Sequence, residues 1–133
     1  MTIQYKNQGF SLTTTGTTNV LTAPSNGRCL VKQIQAHNGS TGAVNLSTQV
    51  TDTSATATFR IDAASIAANT TRQIISQTLV LEEGDILKMT AGTANEKQGI
   101  VSYALLDRSQ QNGKSIGLLV FIFVNLTYDS YTL

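Results

Sequence analysis

Short segments in which polar and apolar residues alternate run through residues 19–107, and they constrain the fold more than any other feature. In the segment Val44–Thr51, every second side chain falls on the same side of an extended chain. One side carries Val44, Leu46, Thr48 and Val50, and the other carries Asn45, Ser47, Gln49 and Thr51. This period of two predicts a half-buried strand with Val44, Leu46 and Val50 on the core side.

Six other segments have strand-like composition, and turn-forming residues separate them. These segments are Asn19–Thr22, Cys29–His37, Thr58–Ile61, Arg72–Leu81, Ile86–Ala91 and Ile100–Leu106. The turns are predicted at Pro24–Gly27, Asn38–Gly42, Glu82–Asp85 and Gly92–Asn95, because Gly and Asn tolerate positive φ. Only Ala63–Ala68 favours a helix, and it is too short to form one alone.

Short strands at this spacing indicate an all-β sandwich or barrel. The strands alone leave immunoglobulin-like and jelly-roll connections open. We expect a two-sheet antiparallel sandwich that is jelly-roll-like and has extended terminal arms. The expected organisation is an N-terminal arm over residues 1–18, a β-sandwich domain over 19–107, and a hinge with an apolar C-terminal segment over 108–133.

Charged residues make up only 13% of the chain, and nine basic and eight acidic residues give a net charge of +1. The basic residues lie far apart in the sequence, so it has no basic stripe that would follow a phosphate backbone. The N-terminus lacks the apolar core of a signal peptide, and the longest apolar run is about half of the ~20 residues that span a bilayer. We therefore expect neither a nucleic-acid nor a membrane partner.

Residues that could carry catalysis are few. His37 is the only histidine and Cys29 the only cysteine, so the chain alone cannot form a zinc site of the usual type or a disulfide. We interpret Cys29 as a buried small hydrophobic residue and His37 as a solvated turn residue. No nucleophile-elbow or phosphate-loop motif occurs, so we expect neither an enzyme nor a cofactor. Glu82, Glu83 and Asp85 could hold calcium, but a solvated turn is the favoured interpretation.

The segment Ile116–Val124 consists of apolar residues and glycine and shows no alternation. As a strand it would need cover on both faces. It could return to the core of its own sandwich, or cross the hinge and pack on a neighbouring subunit. We favour the second arrangement, with Leu118, Phe121 and Phe123 as subunit-interface anchors.

The order of strands and turns from Asn19 to Asp107 resembles that of small β-sandwich virion proteins of tailed bacteriophages. Four pieces carry the resemblance: Val20–Gly27, Val31–Asn38, Leu79–Leu87 and Ala91–Asn95. They look like a lead-in strand, a long core strand that ends at an Asn-Gly turn, a Leu-x-x-Gly-Asp turn that opens the penultimate strand, and the turn after that strand.

This resemblance implies a non-enzymatic capsid decoration (cement) protein that braces the major capsid protein shell as a homotrimer. Such a protein is made in the host cytoplasm and ends on the capsid surface of the virion. Two alternatives are a tail, collar or fibre-attachment component and a carbohydrate-binding β-sandwich module. The second is weakened by the absence of Trp, because sugar-binding faces usually present aromatic rings.

Overall fold

The computed structural model describes residues 2–107, which form strands joined by turns and loops. The strands, numbered in chain order, are β1 (Thr2–Leu12), β2 (Thr18–Thr22), β3 (Gly27–Asn38), β4 (Val44–Asp52), β5 (Ala57–Ile66), β6 (Thr71–Gln73), β7 (Leu79–Leu81), β8 (Ile86–Ala91) and β9 (Lys97–Asp107). The expected segment Ile116–Val124, with Leu118, Phe121 and Phe123, lies outside the described residues.

The strands form two antiparallel sheets, as the alternation and turn spacing predict. The first sheet has the order β1-β9-β3, with β6 and β7 both paired to the other side of β3. The second sheet has the order β2-β8-β4-β5. Pairing is nested: β4 pairs with β5, β3 with β6 and β7, β2 with β8, and β1 with β9. This nesting across two sheets is the connectivity of a jelly roll.

The alternation in β4 correctly predicts its buried face. Leu46, Thr48 and Val50 are buried and Val44 is half-buried, whereas Asn45 is exposed. Leu46 joins a single apolar core between the sheets. Its largest fully buried apolar members are Leu12, Ile34, Leu46, Leu81, Leu87, Met89, Val31 and Val101.

The N-terminal region differs from the expected arm, because residues 2–12 form β1 at the edge of the first sheet. Eleven consecutive residues of β1 pair with β9, from Thr2 opposite Asp107 to Leu12 opposite Lys97. Only Leu12 is buried, and residues 3–9 are all exposed. Main-chain pairing, with little side-chain burial, therefore holds this strand, and the sandwich begins at Thr2 instead of Asn19.

The predicted single strand Arg72–Leu81 is divided into β6 and β7. Both parts pair with β3, on either side of a bulge between Val31 and Gln33. Between them, the Ile74 amide donates to the Ile34 carbonyl (2.8 Å) and the Ile74 side chain is buried. The segment between β6 and β7 departs from regular strand pairing with β3 because the bulge in β3 interrupts the register of that strand.

We predict that Leu46→Ala lowers the free energy of unfolding by about 2–5 kcal/mol, because it leaves a cavity in the core. Asn45→Ala, one residue earlier on the exposed side, should change it by less than about 0.5 kcal/mol. Urea unfolding of both variants measures the difference. Equal effects at the two positions would contradict the assigned faces.

We also predict that Gly99→Ala lowers the free energy of unfolding by about 1–3 kcal/mol through overpacking. A Cβ at Gly99 would overlap the Gln35 carbonyl oxygen and lie 2.6 Å from Cζ of Phe10, whose ring packs against this glycine. Gly9→Ala is the matched control, since the nearest atom that its Cβ would meet is the Gly99 carbonyl oxygen at 3.9 Å. A tolerated Gly99→Ala would mean that β1 and β3 do not approach β9 as described.

Candidate functional site

The acidic turn between β7 and β8 gathers a different set of carboxylates from the predicted Glu82, Glu83 and Asp85. Asp52, at the end of β4, joins Glu82 and Asp85, and one carboxylate oxygen from each lies within 4.8 Å of the others. Glu83 points elsewhere and pairs with Arg28, with 3.3 Å between Oε1 and Nε. Local sequence could not reveal Asp52, because the fold brings it there from about thirty residues away.

Protein donors occupy the Asp85 carboxylate, which is buried. Its Oδ1 accepts hydrogen bonds from the Thr53 amide and the Thr53 hydroxyl, both at 3.1 Å, and its Oδ2 accepts one from the Glu82 amide at 3.0 Å. Gly84, with a φ of 84°, provides the left-handed conformation of this turn. Asp85 thus braces the β4–β5 turn against the β7–β8 turn, which is a structural use of the carboxylate.

Asp52 is similarly engaged with its own turn. Its Oδ1 accepts hydrogen bonds from the Ser54 hydroxyl (2.7 Å), the Ser54 amide (3.0 Å) and the Ala55 amide (3.1 Å). These bonds, led by that of the Ser54 hydroxyl, lower the pKa of the Asp52 carboxyl below its ordinary value. Two of the three clustered carboxylates therefore already stabilise turns.

Cys29 and His37, the residues with the most reactive chemistry, both lie on β3 but on opposite faces. Cys29 is buried in the core, and burial raises the pKa of its thiol. His37 is exposed at the penultimate position of β3, where its Nδ1 lies 3.0 Å from the Thr71 hydroxyl. The two positions are about 26 Å apart along the strand, so they cannot share a metal ion or a proton.

A buried lysine at the other end of the sandwich has no counterpart in the predictions. Lys97 is fully buried, and its Nζ donates to Oδ1 of the buried Asn38 at 3.1 Å. The Asn38 Nδ2 donates to the carbonyls of Gly42 (2.9 Å) and Ile66 (2.8 Å). Burial lowers the pKa of Lys97 below its ordinary value, and the nearby Glu96 opposes this shift. The amide of Asn38 therefore fastens β3, β9 and the loop after β3 together.

The outer face of the first sheet carries an apolar patch at the end where β9 finishes. Leu30, Val80 and Ala104 lie on this face because their neighbours Val31, Leu81 and Tyr103 point into the core. The register aligns Tyr5 with Ala104, Ala104 with Leu30, and Leu30 with Val80, in one row across β1, β9, β3 and β7. Ile3 and Leu106 pair in the adjacent row. We call this surface the outer patch; its members are Ile3, Tyr5, Leu30, Val80, Ala104 and Leu106.

In the structure of residues 2–107, several side chains of the outer patch are exposed to solvent. Tyr5 is 85% exposed, Ile3 57% and Val80 49%. Ala104 is only 5% exposed although it points away from the core, because Tyr5 and Leu30 flank it across the strands. The ion pair of Arg28 with Glu83 lies at the border, since Arg28 follows Leu106 in the second row. A contiguous apolar surface with a polar border is typical of a site that contacts another protein surface.

The second sheet carries a shallow groove of about 400 Å³ over β4, β5 and β8. Small and polar side chains line it, including Asn45, Ser47, Ala63 and Thr90, and Arg60 is its one lining residue with an ionisable side chain. This set offers hydrogen bonds but no nucleophile with a paired base.

No protein-family model matches the sequence, and no curated protein is significantly similar to it. Residues 2–107 contain no helix that is long and apolar enough to cross a membrane.

We predict that Asp85→Asn lowers the free energy of unfolding by about 1–3 kcal/mol, because an amide cannot accept all three hydrogen bonds and leaves a partly buried donor unpaired. Glu82→Gln is the control, since the turn uses the Glu82 main chain. Thermal and urea unfolding compare the two. Equal stability of both variants would show that the brace contributes little.

We predict that the stability of the wild type relative to Lys97→Met rises with pH in the alkaline range. Because burial lowers the pKa of Lys97 in the folded state, the unfolded state binds more protons between that lowered pKa and 10.5. The cost of burying the charge therefore disappears as pH rises through this window. Cys29 and Tyr103 are present in both proteins, so their contributions to the pH dependence of stability cancel in the difference. Urea unfolding from neutral to alkaline pH would contradict the prediction if the difference stayed constant.

Proposed function

We propose that this chain is a non-enzymatic structural protein of a tailed-bacteriophage virion, and specifically a capsid decoration (cement) protein. In this role it binds the major capsid protein shell from outside and braces neighbouring capsid subunits. It is made in the host cytoplasm and becomes part of the capsid surface. The proposal requires no cofactor and no contact with nucleic acid or membrane.

The outer patch is the observation that carries this proposal. Two of its side chains, Ile3 and Tyr5, are more than half exposed on the outer face of the first sheet, and Val80 on the same face is 49% exposed. Keeping such a surface in water is unfavourable, at about 25 cal/mol for each Å² of apolar area, so it favours a protein whose working state is an assembly.

The weak charge of the chain supports the same role. Only 13% of its residues are charged, so contact with a partner removes few charges from water. The jelly roll is compatible with this role and does not decide it, because the same fold supports many unrelated functions. The arrangement of strands and turns that resembles phage virion proteins supplies the choice of assembly.

Self-association into a homotrimer is part of the proposal. The expected interface anchors Leu118, Phe121 and Phe123 lie outside the described residues, and their role stays a prediction. A trimer would place three copies of the outer patch around one axis, so that each copy meets an equivalent surface environment.

The test is to locate the protein in purified particles of the bacteriophage that encodes it. Quantitative mass spectrometry gives the copy number relative to the major capsid protein, and gold-labelled antibodies give the position. We expect many copies, distributed over the whole head. Removal of the protein should lower the temperature or the osmotic shock at which heads release DNA.

Other positions would overturn the decoration role. A few copies at one vertex or on the tail would assign the protein to the tail, collar or fibre attachment. Absence from particles combined with retention on a glycan array would indicate a carbohydrate-binding module, for which the exposed ring of Tyr5 would be the first residue to substitute.

A further inference from the structure

The outer patch lies beside the point where the described chain ends. Leu106 belongs to the patch, and Asp107 is the last residue of β9. Residues 108–133 continue from there and contain the apolar segment Ile116–Val124. Eight residues, 108–115, separate β9 from this segment, and an extended chain of that length reaches about 26 Å.

The patch and the segment match in chemistry. The segment Ile116–Val124 has no charged residue, and the six members of the outer patch have none. Contact between them would remove apolar area on both sides from water without removing a charge. Arg28, at the border of the patch, already has Glu83 as its partner.

They also match in size. The row from Tyr5 to Val80 crosses four strands, or about 14 Å at the usual strand spacing. A segment of nine residues extends to about 30 Å at most, so it can cross the entire patch in an extended or a more compact form.

We infer that the outer patch is the docking surface for the apolar segment Ile116–Val124 of this polypeptide. In the proposed oligomer, the segment of one subunit covers the outer patch of its neighbour. This intersubunit contact rests on the proposed function. The inference gives the predicted anchors Leu118, Phe121 and Phe123 a definite partner surface.

Photo-crosslinking of the full-length chain tests the inference. p-Benzoylphenylalanine replaces Tyr5 in one variant and Phe59 in a control; Phe59 is 53% exposed on β5 of the other sheet. Trypsin cleaves after Lys114, so residues 115–133 form one peptide that contains the whole segment. We expect position 5 to crosslink to this peptide at least about tenfold more than position 59, the ratio that a difference of about 1.4 kcal/mol in contact free energy gives.

A second pair of variants shows whether the apolar chemistry of the patch matters. Val80→Lys adds a charge inside the patch, and Ile100→Lys adds one on the same face outside it; the two native residues are 49% and 47% exposed. In the Tyr5-substituted chain, Val80→Lys should lower the yield of the crosslink at least about tenfold, because a charge would have to leave water. Ile100→Lys should leave the yield unchanged.

Mixing ¹⁴N- and ¹⁵N-labelled chains identifies the donor of the segment. Crosslinks between differently labelled chains support docking on a neighbour and the proposed oligomer. Crosslinks that form only within one chain would support the docking surface, but they would show that the contact does not join two subunits of the oligomer.

Absence of the peptide 115–133 from the products of position 5, or equal yields from positions 5 and 59, would overturn the inference, even if the protein decorated virions. A crosslinked protein that is absent from virions would overturn the proposed function alone.

Discussion

The pairing of β3 with β9 is the constraint on which the rest of the structure depends. These two strands are paired from Gly27 opposite Asp107 to Asn38 opposite Lys97, with one bulge. Each strand also pairs on its other edge, β9 with β1 and β3 with β6 and β7. Their inward side chains, among them Val31, Ile34 and Val101, form the centre of the core. Their outward side chains, Leu30, Ala104 and Leu106, form the centre of the outer patch. One register thus determines both the core and the exposed surface.

Polar networks close the two ends of the sandwich around this pair. At the end where β3 begins, the Asp85 carboxylate links two turns, and its main-chain carbonyl accepts from the Ala23 amide at 2.9 Å. At the end where β3 finishes, the Asn38 side chain donates a hydrogen bond to the loop that leads to β4 and accepts one from Lys97. Both networks place hydrogen-bonding groups where main-chain atoms would otherwise be buried without partners. The chain thus uses its few buried charges to define loop positions.

The alternation of side chains was sufficient to predict the two-sheet fold and the buried face of β4, because that strand is covered on one face only. It was insufficient for β1, whose residues 3–9 are exposed and whose position depends on main-chain pairing with β9. Asp52 and Lys97 were missed for another reason, since their roles depend on residues distant in sequence. The outer patch had a weak sequence signal, the unbroken apolar stretch at Ala104–Leu106, which indicates apolar side chains on both faces of β9.

The nested connectivity also orders events during synthesis. The first strand, β1, ends at Leu12, and its partner β9 begins only at Lys97. At typical rates of translation, of 5–20 residues per second, β1 emerges roughly 4–17 s before its partner exists. In that interval its main-chain groups have no ladder to join. While β1 is unpaired, its polar residues Gln4, Lys6, Asn7 and Gln8 make it a poor template for other nascent chains on the same polysome.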